Sequence, residues 1–155
     1  MSGPGIGDAA PDFDLPRDGG GSVSLADLRG KAVVLYFYPR DDTPGCTKEA
    51  IAFTGLEAEF DAAGAVVLGV SKDTVAKHEK FRDKHELSVA LLSDAEGDVC
   101  ERYGVWVEKN MYGRKGMGIE RATYLIGADG HVAQVWRKVK VPGHAEAVLE
   151  AVKAL

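Results

Sequence analysis

The residues best placed for chemistry surround one cysteine. Cys46 lies in residues 38–49, just after a predicted buried strand and in the first turn of the helix that follows. Ligand sites of α/β proteins lie beyond the carboxyl ends of strands, and the free N–H groups at a helix start favour an anion, which for cysteine is the thiolate. A free cysteine is commonly a buried apolar filler, but its neighbours here are turn and cap residues: Thr43, Pro44, Gly45, Thr47 and Lys48. The position therefore predicts a reactive thiol.

The other residues that could carry chemistry give weaker signals. Cys100 follows Val99 in a short helical stretch and is interpreted as a small apolar filler. Two cysteines are too few for a disulfide scaffold. The histidines have no paired spacing and no pattern of carboxylate partners, so no metal site is predicted: His78, His85, His131 and His144.

The elements that must position Cys46 follow from the hydrophobic pattern. Residues 32–38 form a continuous apolar, β-rich run, which is typical of a strand buried on both faces. From Thr47 onward the period changes to that of a helix, with Glu49 available for a solvent-exposed face and an inward stripe of Phe53, Leu56, Phe60 and Ala63. Residues 65–70 form a second buried strand after Gly64, which ends the helix.

The rest of the chain completes an α/β pattern. Short strands are predicted at 13–15 and 23–25, a helix at 73–85, a brief strand at 91–92, a short helix at 98–103, a polar loop at 111–118, an antiparallel hairpin from 122–126 and 132–136, and a final helix from Ala145 to Leu155. A βαβ half followed by a ββα half predicts a thioredoxin-like three-layer sandwich with a central mixed β-sheet. Residues 1–155 are interpreted as a single domain.

Charge and composition exclude several classes of function. The 155 residues carry a formal charge of −5, which argues against a general attraction to nucleic acid or to anionic lipid. The only local basic cluster, Arg137, Lys138 and Lys140, is interpreted as the solvated end of a strand. Residues 1–8 lack the features of a signal peptide, and no apolar run is long enough to span a membrane. We therefore expect a cytoplasmic protein.

A longer motif around Cys46 resembles a known family. Pro39, Thr43 and Cys46 reproduce the Pro-x-x-x-Thr-x-x-Cys signature of peroxiredoxins, and residues 37–50 look like the Q-type, bacterioferritin-comigratory branch. The likeness covers nearly the whole chain and includes residues 10–13, 93–94, 103–106 and 120–123. It implies a peroxidase that reduces hydrogen peroxide and organic hydroperoxides through a cysteine sulfenic acid, without a cofactor.

The resemblance also implies a role for each site residue. Cys46 would be the peroxidatic nucleophile, and Thr43 would hold the peroxide in line for attack. Arg121 would favour the thiolate and stabilise the charge that develops on the leaving oxygen. Pro39 would shield the sulfur from water, and Glu49 would orient the arginine. Two simpler interpretations stay open. Arg121 could be a surface charge at a strand start, and Glu49 could be an acidic residue that merely favours a first helical turn.

One departure from the family pattern determines the expected cycle. Many Q-type members carry a resolving cysteine five residues after the peroxidatic one, where this chain has Ile51, and residues 73–85 contain no cysteine. We therefore expect a one-cysteine enzyme that needs an external thiol such as thioredoxin, glutaredoxin or glutathione, and that is a monomer or weak dimer. The alternatives are a thioredoxin-like disulfide oxidoreductase, disfavoured because Glu49 stands where Cys-x-x-Cys needs its second cysteine, and a non-catalytic binding or holdase module.

Overall fold

The computed structural model describes residues 3–155, so Met1 and Ser2 of the amino-terminal segment lie outside it. Its strands are β1 (Asp14–Pro16), β2 (Ser22–Ser24), β3 (Ala32–Phe37), β4 (Ala65–Ser71), β5 (Ala90–Ser93), β6 (Trp106–Met111), β7 (Arg114–Ile119), β8 (Ala122–Ile126) and β9 (Val132–Trp136). Its helices are α1 (Pro44–Ala62), α2 (Val75–His85), α3 (Val99–Arg102) and α4 (His144–Lys153), with a short 3-10 helix at Ala26–Leu28. Among the described residues, no helix combines the length and the apolar character needed to cross a membrane.

A mixed sheet of five strands forms the centre, in the order β5-β4-β3-β8-β9. β3 pairs with β4 in parallel and with β8 antiparallel, so it is the middle strand. All six of its side chains are buried, which explains its continuous apolar sequence. The antiparallel register sets Ala122 opposite Phe37. The start of β8 therefore lies beside the end of β3, where the chain turns toward Cys46.

Two hydrophobic cores lie on opposite faces of this sheet. Alternate residues of β3 contribute to each, with Leu35 in one core and Tyr36 in the other. Side chains from α1, α2 and α4 pack in the core that contains Cys46. The β1–β2 hairpin and α3 pack in the core that contains Cys100. This arrangement confirms the predicted three-layer α/β sandwich, with one cysteine on either side of the sheet.

Helix α1 agrees with the prediction at its start and differs from it at its end. It begins at Pro44, so Cys46 lies in the first turn as predicted, and proline is favoured at a first helical position because its missing N–H costs nothing there. It ends at Ala62, so Ala63 is exposed rather than part of the inward stripe. Glu49 is buried rather than on the solvent-exposed face. Glu49 contacts Arg121, which is distant in sequence, so the helical period alone does not reveal the burial.

The predicted polar loop at 111–118 is wrong, because this segment belongs to a two-stranded hairpin. β6 and β7 pair antiparallel through Tyr112 and Gly113, whose φ angles of 55° and 79° are those of a tight two-residue turn. Side chains of β7 are exposed on both faces up to Met117. The hairpin therefore lacks the apolar alternation that identifies a strand. The later hairpin of β8 and β9 is confirmed at its predicted bounds.

We predict that Gly69→Ala destabilises the protein. A Cβ on Gly69 would lie 2.7 Å from Cζ of Tyr36, its fully buried neighbour across the β3–β4 pair. The change should lower the free energy of unfolding by about 1–3 kcal/mol, as measured by urea denaturation. Gly55→Ala is the matched control, because nothing lies within 4 Å of its added Cβ on α1. It should raise stability by about 0.5–1 kcal/mol. Equal effects at the two positions would contradict the packing argument.

Candidate active site around Cys46

The sulfur of Cys46 lies in the first turn of α1 and is almost fully buried, with 1% of the residue exposed. The first helical hydrogen bond of this turn runs from the N–H of Thr47 to the carbonyl oxygen of Thr43, at 2.9 Å. The N–H groups of Gly45 and Cys46 precede that bond and have no partner within the helix. The thiol therefore lies at the positive end of a 19-residue helix, where an anion is favoured.

The guanidinium of Arg121 connects Cys46 to Glu49. Its Nη2 donates to the Cys46 sulfur at 3.4 Å, and its Nη1 donates to Oε1 of Glu49 at 2.7 Å. Arg121 immediately precedes β8, and the β3–β8 pairing carries it to the start of α1. A side chain on Gly45 would crowd it, because a Cβ there would lie 3.1 Å from Nη2. The interpretation of Arg121 as a surface charge is wrong.

Glu49 is a buried carboxylate with only one of its two oxygens paired. Its Oε1 forms the ion pair with Arg121, while Oε2 has no hydrogen-bond partner among the described residues. Burial penalises the charged form and raises the pKa of Glu49 to about 7, although Arg121 acts in the opposite direction. Since Glu49 directly contacts Arg121, the interpretation of it as only a helix-start residue is wrong. Its protonation state changes near neutral pH.

Tyr36 is a site neighbour that the sequence analysis did not identify. Its side chain is fully buried, and its hydroxyl has no hydrogen-bond partner within residues 3–155. Burial and the nearby negative charges of Glu49 and Cys46 raise its pKa well above the usual value, so it remains a neutral phenol. The sequence pattern that could have identified Tyr36 is its spacing of two residues from Tyr38, which places both side chains on the same face of the sheet.

Thr43 and Pro39 line a groove beside the thiol. The Thr43 hydroxyl donates to the carbonyl oxygen of Arg40 at 2.9 Å, which leaves its lone pairs free to accept another hydrogen bond. Pro39 follows the end of β3 and is half-buried. Both residues form part of the wall of one cavity. The structure thus brings Cys46, Arg121 and Glu49 into direct contact and places Thr43 and Pro39 at the adjoining groove.

Carboxylate partners do exist for three histidines, contrary to the sequence interpretation: Asp41 for His78, Asp42 for His85 and Asp129 for His131. The ring of His78 is fully buried, with Nδ1 2.6 Å from Oδ2 of Asp41 and Nε2 2.9 Å from the carbonyl oxygen of Leu92. Burial opposes the charged ring, but the hydrogen bond and charge of Asp41 outweigh it and raise the pKa of His78. Asp73 lies close enough to complete a metal-type group. Its Oδ2 already accepts hydrogen bonds from Asp41 N–H and Ser71 Oγ, so hydrogen bonding explains the cluster.

Cys100 has the surroundings of an inert thiol. It is fully buried in the core on the far side of the sheet from Cys46. Burial and the adjacent Asp94 carboxylate raise its pKa well above the usual value, which suppresses the thiolate. Both cysteines are free in this structure. The geometry agrees with the interpretation of Cys100 as a filler.

The basic residues are grouped differently from the prediction. Arg137, from the predicted solvated cluster, is half-buried and forms an ion pair with Glu120 at 2.6 Å. A second basic cluster, assembled from separate parts of the chain, lines the groove beside Thr43. The statement that the chain has only one local basic cluster is therefore wrong.

Comparison with known proteins gives one consistent result. Residues 6–135 match the AhpC/TSA family. The chain is 50% identical to Peroxiredoxin Bcp of Xanthomonas campestris, over 94% of this chain and 92% of that protein. It is similar in structure to a cysteine-to-serine mutant of PrxQ from Xylella fastidiosa, with a TM-score of 0.94, 40% identity and coverage of 99% and 98% of the two chains. A structure of the bacterioferritin comigratory protein of Xanthomonas campestris, from work on its alkyl peroxide reduction activity, superposes with a TM-score of 0.89, 45% identity and the same coverage.

We predict that Glu49 makes stability depend on pH. Its folded-state pKa of about 7 lies above the ordinary value of 4.5. Its stabilising contribution is therefore fully present below pH 4.5 and is lost as the pH rises through about 7. The loss should be about 3 kcal/mol. In urea unfolding across this range, Glu49→Gln should remove this contribution to the pH dependence and match the wild type at low pH. Glu59→Gln, on the exposed side of α1, is the control and should retain it. An unchanged profile in Glu49→Gln would contradict the assignment.

Proposed function

The chain belongs to the AhpC/TSA family as a Bcp or Q-type peroxiredoxin, and hence a thiol-dependent peroxidase, and we propose that Cys46 is the sulfur that attacks the hydroperoxide. The observation that carries this proposal is the 3.4 Å contact between Arg121 Nη2 and the Cys46 sulfur. A cation at that distance favours the thiolate, which is the nucleophilic form of cysteine. Cys100 lacks these conditions, because burial and the Asp94 carboxylate raise its pKa.

The chemical step transfers one oxygen atom. The Cys46 thiolate attacks the hydroxyl oxygen of the hydroperoxide, the S–O bond forms and the O–O bond breaks. Sulfur is oxidised to the sulfenic acid, and the peroxide is reduced to an alkoxide or hydroxide, which takes a proton to become alcohol or water. Negative charge moves from the sulfur to the departing oxygen. Arg121, already beside the sulfur, stabilises that charge at both ends of its path.

Thr43 supplies orientation in this proposal. Because the Thr43 hydroxyl donates its proton to the backbone carbonyl oxygen of Arg40, its own oxygen accepts a hydrogen bond from the O–H of the peroxide. That hydrogen bond holds the attacked oxygen near the sulfur, while the second oxygen faces Arg121. Pro39 excludes water from the same wall, and Glu49 fixes the guanidinium through its 2.7 Å ion pair. These roles agree with the ones that the family resemblance implies.

We also propose that the enzyme is of the one-cysteine type. Ile51 occupies the position of a common resolving cysteine and is 48% exposed. The remaining thiol, Cys100, lies in the opposite core across the central sheet. A disulfide requires Cα atoms within about 7 Å, and the five-stranded sheet lies between the two thiols. The same separation argues against a disulfide oxidoreductase, which needs a second thiol within reach.

The substrate class and cellular setting complete the proposal. The reported alkyl peroxide reduction of the Xanthomonas campestris relative supports organic hydroperoxides as substrates, together with hydrogen peroxide. An external thiol, from thioredoxin, glutaredoxin or glutathione, reduces the sulfenic acid. We propose that the protein acts in the cytoplasm as a single domain over residues 1–155, and as a monomer or weak dimer.

Substitution of each cysteine tests which sulfur reacts. Cys46→Ser should abolish peroxide reduction, because a serine hydroxyl is not ionised near neutral pH. Cys100→Ser should retain most activity with dithiothreitol as reductant. Each protein is first reduced and then treated with one equivalent of peroxide. Its intact mass should show one added oxygen atom in the wild type and in Cys100→Ser, and no added oxygen in Cys46→Ser. A Cys46–Cys100 disulfide in a non-reducing peptide map would overturn the one-cysteine proposal.

Two further substitutions separate electrostatics from orientation. Arg121→Met should slow peroxide attack by about 10²-fold and reduce the thiolate absorbance at neutral pH, because the neighbouring cation is lost. Thr43→Val should slow attack by about tenfold or more with little change in that absorbance. Arg102→Met, which removes an exposed arginine elsewhere, is the control and should match the wild type. If Arg121→Met and Thr43→Val changed the thiolate absorbance equally, the separate roles would be wrong.

A further inference from the structure

A groove lies beside the active site. Its cavity of about 730 Å³ is bounded on one side by Pro39, Arg40 and Thr43 and on the other by the β6–β7 hairpin. Lys72 and Asp73, which follow β4, and Lys77 of α2 also line it. Cavities of about 300–1,000 Å³ suit small molecules. The groove is therefore sized for a small ligand.

The groove is strongly positive although the protein as a whole is acidic. Its cationic side chains that form no salt bridge within residues 3–155 are Arg40, Lys77, Lys109, Arg114 and Lys115. A sixth cation, Lys72, is neutralised by Glu101 at 2.9 Å and Asp94 at 3.4 Å. The single acidic residue in the wall, Asp73, is occupied by Asp41 N–H and Ser71 Oγ. The net field in the groove therefore favours an anionic ligand.

Lys109 connects this field to the reactive sulfur. Burial and the positive charge of Arg121 lower the pKa of Lys109, while Cys46 acts in the opposite direction, so its ammonium lies within electrostatic reach of both. Its stem runs across Gly118, where an added Cβ would lie 3.0 Å from its Cδ. Gly118 thus leaves the room that Lys109 needs to point into the groove. A ligand bound there lies at the edge of the thiol site.

We propose that this groove binds the reductant, and that the reductant is a small thiol carrying one or more carboxylates. The proposal rests on the peroxidase function of Cys46 and deepens it. A one-cysteine cycle consumes external thiol at every turnover, whereas hydrogen peroxide is small and neutral and has no group for the groove's cations to bind. The same cations that bind the carboxylate also favour the thiolate of the bound thiol, which is the form that attacks the sulfenic acid.

The reduction proceeds in two balanced steps. The thiolate sulfur attacks the Cys46 sulfur, an S–S bond forms, the S–O bond breaks, and the hydroxide leaves as water after taking a proton. A second thiolate then attacks the ligand sulfur of this mixed disulfide, which releases Cys46 as its thiolate. Two thiols are oxidised to a disulfide, and the sulfenic acid is reduced. The groove acts in the first of these steps, when the free thiol must be captured.

The test compares thiols that differ mainly in charge. Cys46 is first oxidised with one equivalent of peroxide, and its reduction is then followed by stopped flow with mercaptopropionate, mercaptoethanol or cysteamine. Rate constants are expressed per thiolate. At low ionic strength we expect mercaptopropionate to react about tenfold faster than mercaptoethanol, with cysteamine slowest, and the advantage to shrink as salt is added.

Matched variants locate the effect. Arg114→Gln combined with Lys115→Gln should reduce the advantage of mercaptopropionate to about threefold or less, without slowing oxidation by peroxide. Lys31→Gln combined with Lys153→Gln removes the same charge at the opposite end of the sheet and should keep the full advantage. Equal rates for the three thiols, or equal losses in both double variants, would overturn the groove proposal. If mercaptoethanol still reduced an oxidised Cys46 in that case, the peroxidase function would stand.

Discussion

The buried contact of Arg121 with both Glu49 and Cys46 is the interaction on which the site depends. One cation lies between two groups that can each be negative, in a place where solvent screens little. Its charge is therefore shared according to the protonation of Glu49. When Glu49 is neutral, the positive charge of Arg121 stabilises only the Cys46 thiolate. When Glu49 is ionised, the carboxylate and the thiolate share that positive charge. Because the pKa of Glu49 is raised to about 7, this balance lies within the range where the enzyme would work.

The sheet makes that contact possible. β3 ends beside the start of β8, so the turn that leads to Cys46 and the residue that precedes β8 meet at one edge. Two glycines leave space for the large side chains at this edge. Gly45 lies next to the guanidinium of Arg121, and Gly69 lies next to the ring of Tyr36. The buried pair of His78 with Asp41 ties the same turn to α2. The Cys46 thiol is thus held by rigid elements on several sides, which suits the proposed orientation of a small substrate.

Charge is distributed unevenly over this protein in a way that composition conceals. The net charge of −5 excludes a general attraction to polyanions, yet one groove collects cations from the turn after β3, from α2 and from the β6–β7 hairpin. Acidic partners neutralise single cations, such as Lys72 in the groove wall and Arg137 away from it. A local field of this kind acts on small anions that enter the groove, and it leaves the long-range behaviour of the protein acidic.

The sequence by itself determined the fold class, the main strands and helices, and the position of Cys46 at a helix start, because apolar periodicity and the residues around a helix start are local properties. It also indicated Arg121 and Glu49 through family resemblance. The tertiary structure decided what local pattern cannot express: that Glu49 is buried, that Tyr36 faces the site, and that His78 has a carboxylate partner. It also revealed the β6–β7 hairpin, whose exposed faces carry no apolar alternation, and the groove, whose cations are far apart in sequence. Burial, pairing and electrostatic field depend on contacts between distant segments, so only the folded chain specifies them.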